Sequence, residues 1–336
     1  MNFDKNLVTI AKPLGFMYVL WQYRLKPVIK IKELSVLAYY AFAKARRMVI
    51  AYTKNHPRMN IVAENAPARM IFIKLTQNYS DNAILRFLIS RVDAIYQDGP
   101  HPLPLDTEHP RVLEYEHRYF KQEVVNDPRV RKIFVMSRYA KPDLKDPENK
   151  IEVLYPAFPV TKRENNHLKD PNDITIFLSG SDATRKGADI LFHAFENIEK
   201  TISNQYRLFL VMASNYKKNT SFYPVTEECL ERTRRAYQKA RAKSNVIFSP
   251  IYPPRLVSYF FKKADIYVIP TRYDTPGMSI LEAMSVGLPV VTTNITSIPE
   301  LVKHGDNGFL IDVKDYDLRS KEYYEYAVTE LEKYLT

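Results

Sequence analysis

Short apolar runs of about five residues recur along the chain between stretches with helical spacing, and this alternation predicts an α/β protein with parallel sheets. The pattern is sharpest in the second half. Residues 174–178, 206–212, 264–270 and 288–293 read as buried strands, while 188–199 and 227–241 read as helices. In the first half, 7–11, 48–52, 92–96, 111–117, 132–136 and 151–155 are candidate strands, with 31–47 and 83–91 as helices. A last helix spans about 318–334. Polar residues 162–173, following Pro156, make the best boundary in the sequence. The expected organisation is therefore a domain over 1–160, a linker over 161–173, a second domain over 174–315 and a terminal element over 316–336.

Residues 274–293 carry the most chemistry. Asp274 and Glu282 have seven residues between them and stand on either side of the turn at Gly277. A glycine there lets backbone N–H groups approach an anion, and the helix that follows turns its positive end toward it. Glu282 falls one to two turns into that helix, where its carboxylate accepts hydrogen bonds from a diol such as ribose. With strands on both sides, the segment is a βαβ unit. A second glycine-bracketed segment, Gly180-Ser-Asp-Ala-Thr-Arg-Lys-Gly187, lies between a strand and a helix, which aims Lys186 at the end of the sheet where phosphates bind. Only eight glycines occur in the chain, and six of them (180, 187, 277, 287, 305 and 308) lie in these segments and their continuation.

The run from Asp265 to Phe309 resembles the signature region of the retaining group 1 glycosyltransferases: a carboxylate, seven residues, Glu282-Ala-Met284, then Gly287-Leu-Pro-Val290. Ile298-Pro-Glu300 and His304-Gly-Asp-Asn-Gly-Phe309 extend the likeness, and 180–187 resembles the family's phosphate loop. The resemblance implies a GT-B fold, two Rossmann-like domains facing each other across a cleft, with residues 316–336 packing back across the hinge. It also implies a hexosyl transfer, without a metal or other cofactor, from a nucleotide-diphosphate sugar to a glycan or lipid-linked glycan hydroxyl, with retention of configuration. Gly180, Ser181, Arg185, Lys186, Asp274, Gly277, Met278 and Glu282 would bind the donor. His117, Lys186 and Asp274 would be catalytic, with His117 and Asp274 on the transferred sugar.

Two positions depart from the family pattern. Ser181 stands where an arginine is usual, with Arg185 near enough in sequence to compensate, and Asp274 replaces a glutamate. These departures keep a second reading open, a GT-B protein that serves as a scaffold without turnover. Each site residue also has a plainer reading: a surface lysine at 186, a satisfied histidine at 117, dipole-complementing acids at 274 and 282. Glu300 reads as a cap of the helix starting near Pro299. Asp315-Tyr-Asp317 superficially matches the Asp-x-Asp metal element of other glycosyltransferases, with helix capping as the plainer reading. A hydride-transferring Rossmann enzyme is disfavoured, because no Gly-x-Gly-x-x-Gly follows any predicted strand.

Composition changes the picture in one place. Over 336 residues, 46% hydrophobic and 26% charged content are ordinary for a globular protein. One cysteine, Cys229, excludes an internal disulfide and fits a cytoplasmic setting. The net charge of +11 is uneven: residues 1–60 hold eleven Lys or Arg and two acids, interleaved with Trp21 and eight Tyr or Phe. That mixture fits a peripheral site on an anionic, cytoplasmic membrane face. A solvated basic face is the alternative, and a nucleic-acid surface, serving a transferase that modifies bases, is a weaker one. No apolar run approaches the roughly 20 residues that cross a bilayer, and no secretory signal is evident.

Overall fold

The computed structural model describes residues 48–53, 70–75, 94–98, 110–115, 119–161, 170–202, 205–214, 225–249 and 254–336. The strand expected at 7–11, the helices at 31–47 and 83–91, and almost all of the basic segment 1–60 lie outside these residues. The chain forms two compact units, one of residues 1–136 and 141–154, the other of 137–140 and 155–336.

The first unit holds a six-stranded sheet, β1 (Met48–Thr53), β2 (Met70–Leu75), β3 (Ala94–Asp98), β4 (Arg111–Tyr115), β5 (Val130–Val135) and β6 (Ile151–Val153), in the order β2-β1-β3-β4-β5-β6. All its pairs are parallel. A short helix, α1 (Gln122–Asn126), precedes β5. Lys150 crosses to its end, donating to the Val125 and Asp127 carbonyls at 3.0 and 3.3 Å, a cation on the negative end of a helix.

The second unit alternates β7 (Asp173–Gly180), α2 (Ala188–Ile202), β8 (Arg207–Ser214), α3 (Glu227–Ala240), β9 (Val246–Ser249), α4 (Pro254–Lys263), β10 (Ile266–Ile269), α5 (Met278–Ser285), β11 (Val290–Thr293), α6 (Ile298–Leu301), β12 (Gly308–Ile311) and α7 (Lys321–Leu335). Its sheet runs β12-β11-β10-β7-β8-β9, again all parallel. Two successive triplets run outward from neighbouring strands β7 and β10, the doubly wound order whose switch point lies between those two.

Both faces of this sheet are covered, which is why its strands read as continuous apolar runs. Ile176 and Leu178 of β7 face one core with Leu210, Met212 and Val268, and Phe177 faces the other with Val211, Tyr267 and Ile269. Phe177 meets Phe261 of α4 edge to face, ring centroids 4.9 Å apart, so α4 closes the second core. The terminal helix α7, expected to pack back across the hinge, buries Tyr323, Ala327, Val328 and Leu331 in the first core with Ile190, Leu191 and Phe195 of α2. Ser320 caps it, its hydroxyl accepting from the Tyr323 N–H at 3.0 Å.

The single linker expected at 161–173 is not where the units divide. The chain passes between them at 136/137, 140/141 and 154/155. Residues 137–140 belong to the second unit because Glu300, at the start of α6, accepts the N–H groups of Arg138 and Tyr139, both at 2.8 Å. The same carboxylate accepts the Tyr155 hydroxyl at 2.6 Å. Glu300 thus binds distant backbone amides instead of those of the helix that begins beside it.

Candidate functional site

At the switch point, the loops that leave the carboxyl ends of β7 and β10 lie side by side. Open α/β sheets bind ligands in this crevice, outside the strand ends. The first loop, 181–187, leads into α2, and the second, 270–277, leads into α5.

The first loop is wound tightly. Asp182 accepts the Arg185 N–H on its side chain at 3.1 Å and the Lys186 N–H on its carbonyl at 3.0 Å. Gly187 takes φ +75°, and a Cβ there would stand 2.1 Å from the Pro270 carbonyl oxygen. Only glycine allows the two loops to meet so closely. Gly180 has a related reason: a Cβ on it would lie 2.7 Å from Cγ of Lys186, so the lysine stem crosses over it. The ammonium of Lys186 thereby reaches Asp274 of the second loop, donating to Oδ2, and both side chains are buried. Burial pulls the Lys186 ammonium below its ordinary value, and the Asp274 carboxylate opposes that shift. Arg185 joins them, its Nη1 3.8 Å from Asp274 Oδ1 and donating to the Tyr273 carbonyl at 2.7 Å.

The second loop delivers Asp274 and then the start of α5. Thr296 donates to the Asp274 carbonyl and fixes the backbone there. Gly277, at φ +77°, is the N-cap of α5, and its carbonyl accepts from Ile280 and Leu281 at 2.9 and 3.1 Å. The early amides of α5, starting with Met278, present the positive end of the helix at the carboxyl ends of the strands. Glu282 is half-buried on the same helix, and burial pushes its carboxyl up to about 7 against the opposing charge of Lys186. Below it, the buried Tyr267 donates to the Ser179 carbonyl at 3.1 Å.

The structure therefore brings Gly180, Arg185, Lys186, Asp274, Gly277, Met278 and Glu282 to the carboxyl ends of the central strands of one sheet. Ser181 lies in the same loop, exposed. His117 is outside the described residues. Asp317 accepts the N–H and guanidinium of Arg319, at 3.1 and 2.9 Å, and it is Ser320 that caps α7. Among the described residues no three His, Cys, Asp or Glu side chains cluster closely enough to hold a metal ion, and no helix is long and apolar enough to cross a membrane.

Sequence reasoning missed the residues that lock the two loops together. Arg272 is fully buried and grips both carboxylate oxygens of Asp189 at 2.8 Å. Both look like surface charges in the sequence. The available signal was position: Arg272 follows a buried strand, and Asp189 opens a helix whose other early residues are apolar.

Comparison with known proteins fits this geometry. Residues 160–325 match the family model described as glycosyl transferases group 1. The O-antigen chain mannosyltransferase B of Escherichia coli is 45% identical over 65 residues, 19% of this chain and 16% of its own. The UDP-Gal:alpha-D-GlcNAc-diphosphoundecaprenol alpha-1,3-galactosyltransferase of the same organism is 41% identical over 56 residues, 17% of this chain and 14% of its own. This chain thus spans less than a fifth of the length of either enzyme. Among solved structures, Anabaena Alr3699/HepE in complex with UDP and glucose superposes with a TM-score of 0.55 at 15% identity, over 86% of this chain and 91% of that one. A glycosyltransferase from Rickettsia africae also scores 0.55 at 12% identity, over 84% and 94%. The fold shared with these structures is GT-B.

Proposed function

Through residues 160–325 this chain belongs to the group 1 glycosyl transferases, and on that premise we propose that it moves a sugar from a nucleoside-diphosphate sugar to an acceptor hydroxyl. The observation that carries the proposal is the meeting of Lys186 and Asp274, with the N-terminus of α5 and Glu282 beside them, at the switch point of the second sheet.

Lys186, Arg185 and the first amides of α5 supply positive charge where a diphosphate departs, the form of stabilisation that counts most when charge grows in the transition state. Arg185 offsets the loss of the cation that the family pattern has at 181. Glu282 accepts the ribose hydroxyls, and Asp274, released from Lys186 when the diphosphate takes its place, accepts hydroxyls of the transferred sugar with His117. In the step itself the bond from the anomeric carbon to the diphosphate oxygen breaks, and the acceptor oxygen bonds to that carbon on the same face. The acceptor proton passes to the departing phosphate oxygen. Configuration is retained, and no metal is required. Partial likeness to enzymes named for O-antigen and diphosphoundecaprenol-linked substrates supports a glycan or lipid-linked acceptor. The basic, aromatic residues 1–60 support a cytoplasmic protein docked on an anionic membrane face.

A thermal-shift screen with UDP, GDP, ADP and their sugar conjugates tests this on wild type, Lys186→Met and Glu282→Ala. One nucleotide is expected to raise the wild-type melting point by mass action and to lose most of that effect in both variants. No shift with any of them would overturn donor binding and favour the scaffold reading, to which the exposed Ser181 points.

A further inference from the structure

Arg272 is a buried charge that the proposed transfer does not use. Besides the two bonds to Asp189, its Nη1 donates to the Thr184 carbonyl at 2.6 Å and its Nε to the Leu318 carbonyl at 3.1 Å. Its backbone N–H donates to the Arg185 carbonyl at 2.8 Å, and the Thr271 hydroxyl donates to that same oxygen at 3.1 Å. The two carbonyls just before Lys186 are therefore tied to the two residues that closely precede Asp274. The side-chain part of this tie suits a guanidinium, whose rigid, planar set of donors reaches the Asp189 carboxylate and the Thr184 and Leu318 carbonyls at once.

Burying such an ion is costly, and apolar side chains of similar volume fill a core at equal or lower free energy. What the Arg272–Asp189 pair adds is geometry. We propose that Arg272 is a positioning residue which, held by Asp189, sets Lys186 against Asp274 and thereby sets how tightly the site holds a diphosphate. The inference rests on the donor-site reading above.

The test takes whichever of UDP, GDP or ADP binds wild type and compares its dissociation constant with that of the matching nucleoside, which lacks the diphosphate. Arg272→Lys keeps the charge and loses the fork. It is expected to shrink the affinity gap between nucleoside diphosphate and nucleoside at least ten-fold, with nucleoside binding changed less than two-fold and the variant folded by circular dichroism. Asp189→Asn, which frees the guanidinium, carries the same expectation should the lysine variant fail to fold. A merely structural role weakens both ligands by one factor and leaves the gap intact. That result, or a failure of both variants to fold, overturns the inference while the donor site stands. A wild type that binds no nucleoside diphosphate overturns the donor reading, and the inference with it.

Discussion

At the scale of single residues, the site depends on glycines and on charges whose surroundings change their chemistry. Gly187 combines positive φ with the closest loop contact at the site. Alanine there faces about 1–2 kcal/mol of backbone strain and the overlap with the Pro270 carbonyl, which adds about 1–3 kcal/mol. Gly187→Ala is therefore expected to lower stability by about 2–5 kcal/mol in urea unfolding, and to impair nucleotide binding in whatever fraction remains folded. Glu282 makes a pH prediction. Its folded value, raised by burial to about 7 from an ordinary 4.5, means the unfolded chain gives up this proton first. The folded state loses stability relative to the unfolded one as pH rises from about 4.5 to about 7, with no further loss above that. Glu282→Gln removes the ionisation, so urea unfolding at pH 5 and pH 7.5 should show wild type losing more stability across that interval than the variant. On the proposed contact between the Glu282 carboxylate and the ribose diol, nucleotide affinity of the wild type is expected to rise over the same interval.

At the scale of elements, the helices of the second unit announce themselves by spacing and are fixed by caps and cores. Tyr323, Ala327 and Leu331 recur at fourth positions along α7 and enter the core with α2. The start of α7 follows from Ser320, whose hydroxyl accepts the N–H of Tyr323 in the first turn. Ser320→Ala is expected to cost about 1 kcal/mol, read as a lower urea midpoint at unchanged slope, without loss of nucleotide affinity. The strands β7, β8, β10 and β11 were legible as apolar runs because each is buried on both faces. β2, β9 and α4 were not. Residues 70–75 are an apolar run with no glycine or proline directly beside it to mark its ends, β9 is an edge strand with Ile247 exposed, and α4 starts at Pro254 in a proline-rich stretch.

At the scale of the whole molecule, one carboxylate draws together segments of the second unit that lie far apart in the chain. Glu300 holds the amides of residues 138 and 139, which lie between the first two passages, and the hydroxyl of Tyr155, directly after the third. Its bond also raises the Tyr155 phenol above its ordinary value. Glu300→Ala removes one acceptor from three donors, two of them exposed enough for water to replace it, so the expected loss is about 1–3 kcal/mol of stability. Glu300→Gln, which keeps an accepting oxygen, should recover part of that loss in the same urea measurement.

The sequence by itself determined the alternation of strands and helices, the two glycine-bracketed loops and the acids and lysine they carry, because each of these is a local pattern of spacing or backbone freedom. It also carried the family resemblance, since that resides in a contiguous run. Only the tertiary structure decided which charges are buried and which residues meet. Arg272 and Asp189 lie 83 residues apart, and Lys186 and Asp274 lie 88 apart. Their pairing is produced by a sheet order that sets β7 beside β10, and a parallel crossover of that length leaves no local trace in the chain. Glu300 is the same case: a cap by sequence, it becomes a tie across 162 residues because the fold brings the amides of 138 and 139 to it.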